Sequence, residues 1–269
     1  VHSTSGTCVG RWMHTCAGYA GHVCVNSRRA SRFLALLARA VPITGGPRPV
    51  RSTQAAKRSA AARPIEGPIL TIGATLQQAV SSRDYILLTV GFFVCGLQLV
   101  FITTHLPTYL HDAGLSPDIS SWALALIGLF NIIGAFVCGW LGGVVSKKKS
   151  LATVYLLRGI AIATFILIPP TPVTALLFGA FMGLLWLGTI PLTSGLIVVF
   201  FGPRYLSMLY GLVFLSHQIG SFVGAWLGGI WYDWFGNYEA MWWLNAAAGL
   251  FAFAVNWAIR EPRAEAAPA

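Results

Sequence analysis

Charge is what this sequence is short of: only 10% of its 269 residues are Asp, Glu, Lys or Arg, against 56% hydrophobic. A soluble domain usually carries about 25% charged residues. So low a fraction excludes an ordinary water-facing surface and points to lipid as the surrounding medium. Acids are scarcest, eight against 18 Lys and Arg, for a net charge of +10. That excess is local. Residues 1–68 hold ten Lys/Arg and one acid, whereas residues 69–269 hold eight and seven. The apolar body has no basic patch beyond Lys147, Lys148 and Lys149, so nucleic acid is not an expected partner. The five cysteines are an odd number, and Cys95 and Cys138 lie inside apolar runs, so no disulfide framework is expected. His14/Cys16 and His22/Cys24 repeat at eight residues, a spacing that matches no common zinc site; no metal or cofactor is expected. Phosphate-binding loops of the Walker type, Gly-x-Ser-x-Gly elbows and HExxH helices are all missing, which argues against an ATP-driven pump or an enzyme.

What is present falls into four stretches. Residues 1–68 are rich in Arg, Ala, Ser, Gly and Pro and show no sustained apolar period. Three readings fit: a disordered leader, an Arg/Ser-rich transit peptide, or non-native translation from a start placed too far upstream. Residues 69–84 form a juxtamembrane segment, and 261–269 a short cytoplasmic tail. Between them lie six apolar runs, near 85–110, 120–145, 149–168, 173–200, 206–231 and 240–260. Each reaches the roughly 20 residues needed to cross about 30 Å of hydrocarbon. Helices are the only single elements that cross lipid with every backbone group paired. The expected fold is therefore all-α and polytopic, a bundle of six transmembrane helices over 85–260.

The connections set the orientation. Arg83, Lys147–Lys149, Arg204, Arg260 and Arg263 fall on one side; Asp112, Asp118, Asp233 and Glu239 mark the other, which has no Lys or Arg. Basic residues favour the cytoplasmic face, so both termini are expected in the cytoplasm and the chain in a bacterial inner (plasma) membrane.

Within the runs, ionisable side chains are rare, and each needs an explanation because a charge at the bilayer centre costs at least about 2.5 kcal/mol. Asp84, Gly91, Gln98, His105 and Asp112 recur every seven residues and so share one stripe, read either as a pathway wall or as a helix interface. Asn131 is either a solute contact or interhelical glue. Arg158 is either a fixed cation for an anionic solute or a side chain that snorkels back to the interface. Trp186, Thr189 and Thr193 come to mid-depth on one broad face, with Pro191 as a local break. Gly220, Gly224 and Gly228 form a tandem small-residue repeat for close helix packing. His217 shares that stripe, either as a proton carrier or as a neutral bridge across the glycine seam, and Gln218 points about 100° away.

Several stretches resemble one transporter family. Residues 202–220, continuing through 224–238 with Gly228-Gly229, Asp233 and Gly236-Asn237-Tyr238, look like helices ten to twelve of monocarboxylate-transporter-like members of the major facilitator superfamily. Residues 92–110 resemble the seventh helix of its bacterial branch. Residues 139–149 resemble the family's loop motif, with Gly143 and Val144 where Asp and Arg would stand. Asn131 and Ala135 occupy the positions of an Asp–Arg pair in the eighth helix of monocarboxylate members. The resemblance implies a fold of twelve helices in two halves, of which this chain supplies the second. It implies a solute site at midplane and alternating access by rocking. The expected cargo is a small organic solute, an anion, moved in symport with H+ or by exchange. The expected partners are the bilayer, the solute, and a second six-helix half or another copy of the chain. A non-transporting membrane scaffold, a drug- or sugar-type facilitator and a self-assembled channel are the alternatives.

Overall fold

The computed structural model describes residues 71–261. The expectations for 1–68, including the His/Cys repeat, and for the tail after Glu261 lie outside the described residues. The described chain is helical from end to end. Helix α1 spans Ile72–Ser81, α2 Arg83–Asp112, α3 Pro117–Val144 and α4 Lys147–Leu167. Helix α5 spans Pro172–Leu185, α6 Thr189–Phe201, α7 Leu206–Phe235 and α8 Glu239–Trp257, with a short 3-10 turn at Pro203–Tyr205.

Helix ends follow local chemistry. Ser82, Ser146 and Thr171 each accept a backbone N–H of the first turn of the helix they precede, and Thr171 forms a reciprocal capping box with Thr174. Pro117 and Pro172 occupy first-turn positions, where a missing N–H costs nothing. Gly236 ends α7 with φ +66°, a left-handed conformation that glycine adopts without strain.

Five stretches are long and apolar enough to cross a membrane: α2, α3, α4, Pro172–Phe201 (α5 with α6) and Pro203–Phe235 (the turn with α7). Helix α8 has 19 residues but is less apolar, because Glu239, Asn245, Asn256 and three tryptophans interrupt it. It nonetheless packs inside the bundle, with Trp242, Asn245 and Asn256 fully buried.

One run differs from expectation. Residues 173–200 were expected as one helix loosened at Pro191. They form two helices, and the break falls at 186–188, before that proline. Pro191 is the third residue of α6, so its missing N–H falls among donors that a helix start leaves unpaired anyway.

The helices associate chiefly in pairs: α2 with α7, α4 with α8, and α3 with α5. Lipid offers little hydrophobic drive for such contacts, so close backbone approach at small residues carries them. A Cβ on Gly220 would lie 2.1 Å from Phe93 O, and one on Gly224 2.3 Å from Leu97 O. Gly96 answers from the other helix, with His217 O 2.0 Å from its would-be Cβ. Gly134 and Gly179 do the same between α3 and α5, and Gly159 and Gly249 between α4 and α8.

Three chain segments meet at one end of the bundle: the start of α2, the start of α4 and the end of α8. Glu261 accepts hydrogen bonds from Ser146 Oγ, Lys147 N and Lys148 N at the start of α4. Lys148 Nζ returns the contact, donating to Trp257 O and Ile259 O at the end of α8. Arg260 N donates to Asp84 Oδ1. At the opposite end, Asp112, Gly236, Asn237 and Glu239 share the rim of a cavity of about 340 Å³ with Tyr109 and Trp242.

Candidate functional site

The helix break positions the candidate site. A chain that leaves helical geometry strands the last carbonyls of one segment and the first N–H groups of the next. Side chains from two neighbouring helices meet these groups. Arg158, near the middle of α4, sends Nε to Leu185 O (3.0 Å) and Nη2 to Leu185 O (2.5 Å) and to Trp186 O. Asn131, from α3, accepts Leu187 N–H at 3.0 Å. A cation at the C-terminal end of α5 also opposes the partial negative charge of that helix end.

Arg158 is 0% exposed. This overturns the snorkelling reading: the side chain turns inward to the break instead of back toward the lysines. Its Nη1 donates to Cys95 Sγ of α2 at 3.2 Å, and Cys95 Sγ lies 3.4 Å from Thr189 Oγ1 at the start of α6. The Tyr155 ring packs beneath the guanidinium, with its centroid 5.6 Å from Cζ. Among the described residues no carboxylate lies within ion-pair distance of Arg158. The hydroxyls of Tyr155 and Thr193 are fully buried and lack hydrogen-bond partners among those residues. A buried cation whose partners are backbone carbonyls and a thiol, with no carboxylate, is an environment that favours an anion bearing hydrogen-bonding oxygens.

The structure thus brings Asn131, Arg158, Trp186 and Thr189 together around one feature. Cys95 joins them; its place inside an apolar run concealed that. Trp186 is half-buried and contributes its backbone carbonyl to Arg158.

Gln98 and His105 stand elsewhere and serve helix contacts. Gln98 is fully buried and donates Nε2 to Asn245 O of α8 at 2.9 Å. His105 reaches Ala225 O through Nε2 (3.0 Å) and the Tyr238 hydroxyl through Nδ1 (3.2 Å). A carbonyl only accepts, so Nε2 carries the hydrogen, while the Tyr238 hydroxyl can donate to Nδ1 or accept from it. Burial pushes the Tyr238 phenol above its ordinary value, so it stays protonated. The notch for that ring is Gly228, whose would-be Cβ lies 2.5 Å from His105 Nε2. The imidazole seated at the glycine seam is that of His105. His217 is half-buried, stacks on Phe214 at 5.5 Å, and touches Gln218 Oε1 (3.2 Å) and Ser221 Oγ (3.4 Å). Gln218 itself is exposed.

An all-α bundle of apolar spans, with a discontinuous helix and a buried cation at its middle, defines a polytopic membrane protein. The chain belongs to the Major Facilitator Superfamily, whose family profile matches residues 35–269. It is 28% identical over 157 residues to an uncharacterized MFS-type transporter, YcxA, of Bacillus subtilis (strain 168), covering 56% of this chain and 38% of that protein. It is 27% identical over 177 residues to monocarboxylate transporter 12-B of Danio rerio, covering 61% of this chain and 35% of that one. The matched stretch therefore spans well under half the length of either relative.

Proposed function

We propose that this chain forms the second half of a secondary transporter that moves a small organic anion across a bacterial inner membrane by alternating access. The observation that carries the reading is Arg158, fully buried with no carboxylate partner among the described residues. A cation held this way in low dielectric leaves its charge available to an anionic solute. Asn131, Thr189 and Trp186 border the same point and complete the pathway wall. His217, with Gln218 beside it, is the titratable group placed to take up a proton in symport. A second six-helix half, or a second copy of this chain, supplies the opposite wall. The likeness to a protein named as a monocarboxylate transporter supports an anion as cargo.

Uptake of radiolabelled propionate into proteoliposomes made from the purified chain tests this, with and without a coexpressed amino-terminal half. Arg158→Gln should weaken apparent affinity about 10- to 100-fold, the worth of one charge-assisted interaction. Saturable uptake unchanged by Arg158→Gln would rule the reading out, as would its absence for every organic anion tried with a well-folded preparation.

A further inference from the structure

The donor count at Arg158 has a mechanical consequence. A guanidinium has five N–H donors. Four bonds are already made: two to Leu185 O, one to Trp186 O and one to Cys95 Sγ. One N–H of Nη1 is left. A carboxylate held through a two-point fork needs two parallel donors, so it must take at least one from the helix end or the thiol. We propose that Arg158 is a latch on the break between α5 and α6, and that an anion seated on its guanidinium releases the latch and heals the helix.

The healing is written in the backbone. Leu185 O and Trp186 O, once abandoned by Arg158, are buried acceptors in an apolar setting and need new donors. The next donors in helical register are Thr189 N and Ile190 N, four residues on. Ile190 N at present bonds back to Leu187 O at 3.0 Å in a tighter turn. Pro191 has no N–H, so healing stops after those two bonds and Leu187 O gains no helical partner. The broken form is held from the other side by Asn131, which occupies Leu187 N–H. Helix α5 is seated tightly on α3: a Cβ on Gly134 would lie 2.0 Å from Leu184 O. With α5 held, the arm that must reorient is α6, which carries Thr189 against Cys95 and packs on α3 and α4 with Leu192, Thr193 and Leu196 buried. Each of the two states has a defined set of hydrogen bonds, and the anion selects between them by its affinity for the guanidinium.

The latch rests on the anion reading above, and amide hydrogen exchange separates the two. The full chain in lipid nanodiscs is followed by mass spectrometry over residues 186–190, with sodium propionate as the probe and sodium chloride at equal ionic strength as the control. Arg158→Gln should slow exchange there about tenfold, the worth of one net hydrogen bond. Asn131→Ala should slow it in the same direction by less. Propionate should slow exchange in the wild type and add nothing in Arg158→Gln. An Arg158 that only props the structure predicts the reverse sign, so faster or unchanged exchange in Arg158→Gln, with Asn131→Ala agreeing, overturns the latch. Propionate uptake that depends on Arg158 but leaves 186–190 unaltered also overturns it, while transport stands. Slow exchange in Arg158→Gln together with failed uptake of every anion sinks the transport reading alone.

Discussion

Glycines on α7 divide by what faces them. Gly224 meets the Leu97 carbonyl, and a Cβ there would sit 2.3 Å from the oxygen, a backbone atom that moves only with its helix. Gly229, five residues on, has nothing within 4 Å of a would-be Cβ. Gly224→Ala should therefore destabilise the α2–α7 pair by about 1–3 kcal/mol through overpacking. Gly229→Ala should be neutral or stabilise by up to about 1 kcal/mol, the helix propensity gained. Unfolding in mixed detergent micelles, monitored by circular dichroism, checks both; equal effects would mean that the seam does not depend on close approach. The spacing of Gly220, Gly224 and Gly228 was enough to expect a seam. It did not reveal which histidine enters it, because His105 comes from another helix, 120 residues away from its Ala225 acceptor.

At the scale of the element, the reciprocal contact between α4 and α8 stands out. Glu261 lies at the positive end of α4 and Lys148 at the negative end of α8, so each charge opposes a helix dipole and satisfies stranded backbone groups. Glu261→Gln keeps some hydrogen bonding but removes the charge, and should lower stability by about 1 kcal/mol; Glu261→Ala should cost about 2 kcal/mol. Thermal unfolding at low and high salt is the measurement. The Gln effect should shrink as salt screens the dipole term, and a salt-independent loss would contradict this account. The pairing is not legible in sequence: Lys148 is one of three consecutive lysines and Glu261 one acid more than 100 residues further on. The contact depends on two helix ends arriving at the same place. The broken helix teaches the same point. Pro191 signalled a disturbance, but its position fell three residues late, because a break also needs side chains such as Arg158 and Asn131 to receive the freed backbone groups.

At the scale of the whole molecule, large apolar side chains lie on the outside: Trp122 is 64% exposed, Phe136 77% and Phe222 66%. In water such a band would drive aggregation; in a bilayer it meets acyl chains or a partner's helices. Lysine-bearing loops at one end and acid-bearing loops at the other fix the expected direction of insertion. Asp118, in the first turn of α3, and Lys149, in the first turn of α4, are exposed at opposite ends of α3. A membrane-impermeant maleimide applied to intact cells should label Asp118→Cys and spare Lys149→Cys until the membrane is opened, in a background with Cys8, Cys16 and Cys24 replaced by serine. The opposite pattern would invert the topology.

The sequence alone determined the class of this protein. Run lengths and scarce charge follow from the cost of exposing polar groups to lipid, and loop charge from the bias of Lys and Arg toward one face; both act residue by residue along the chain. Tertiary structure alone decided the use of each buried polar group. Arg158, Asn131, Gln98 and His105 all find partners on other helices, and no helical period records which helix will lie opposite or where its backbone will be left unpaired.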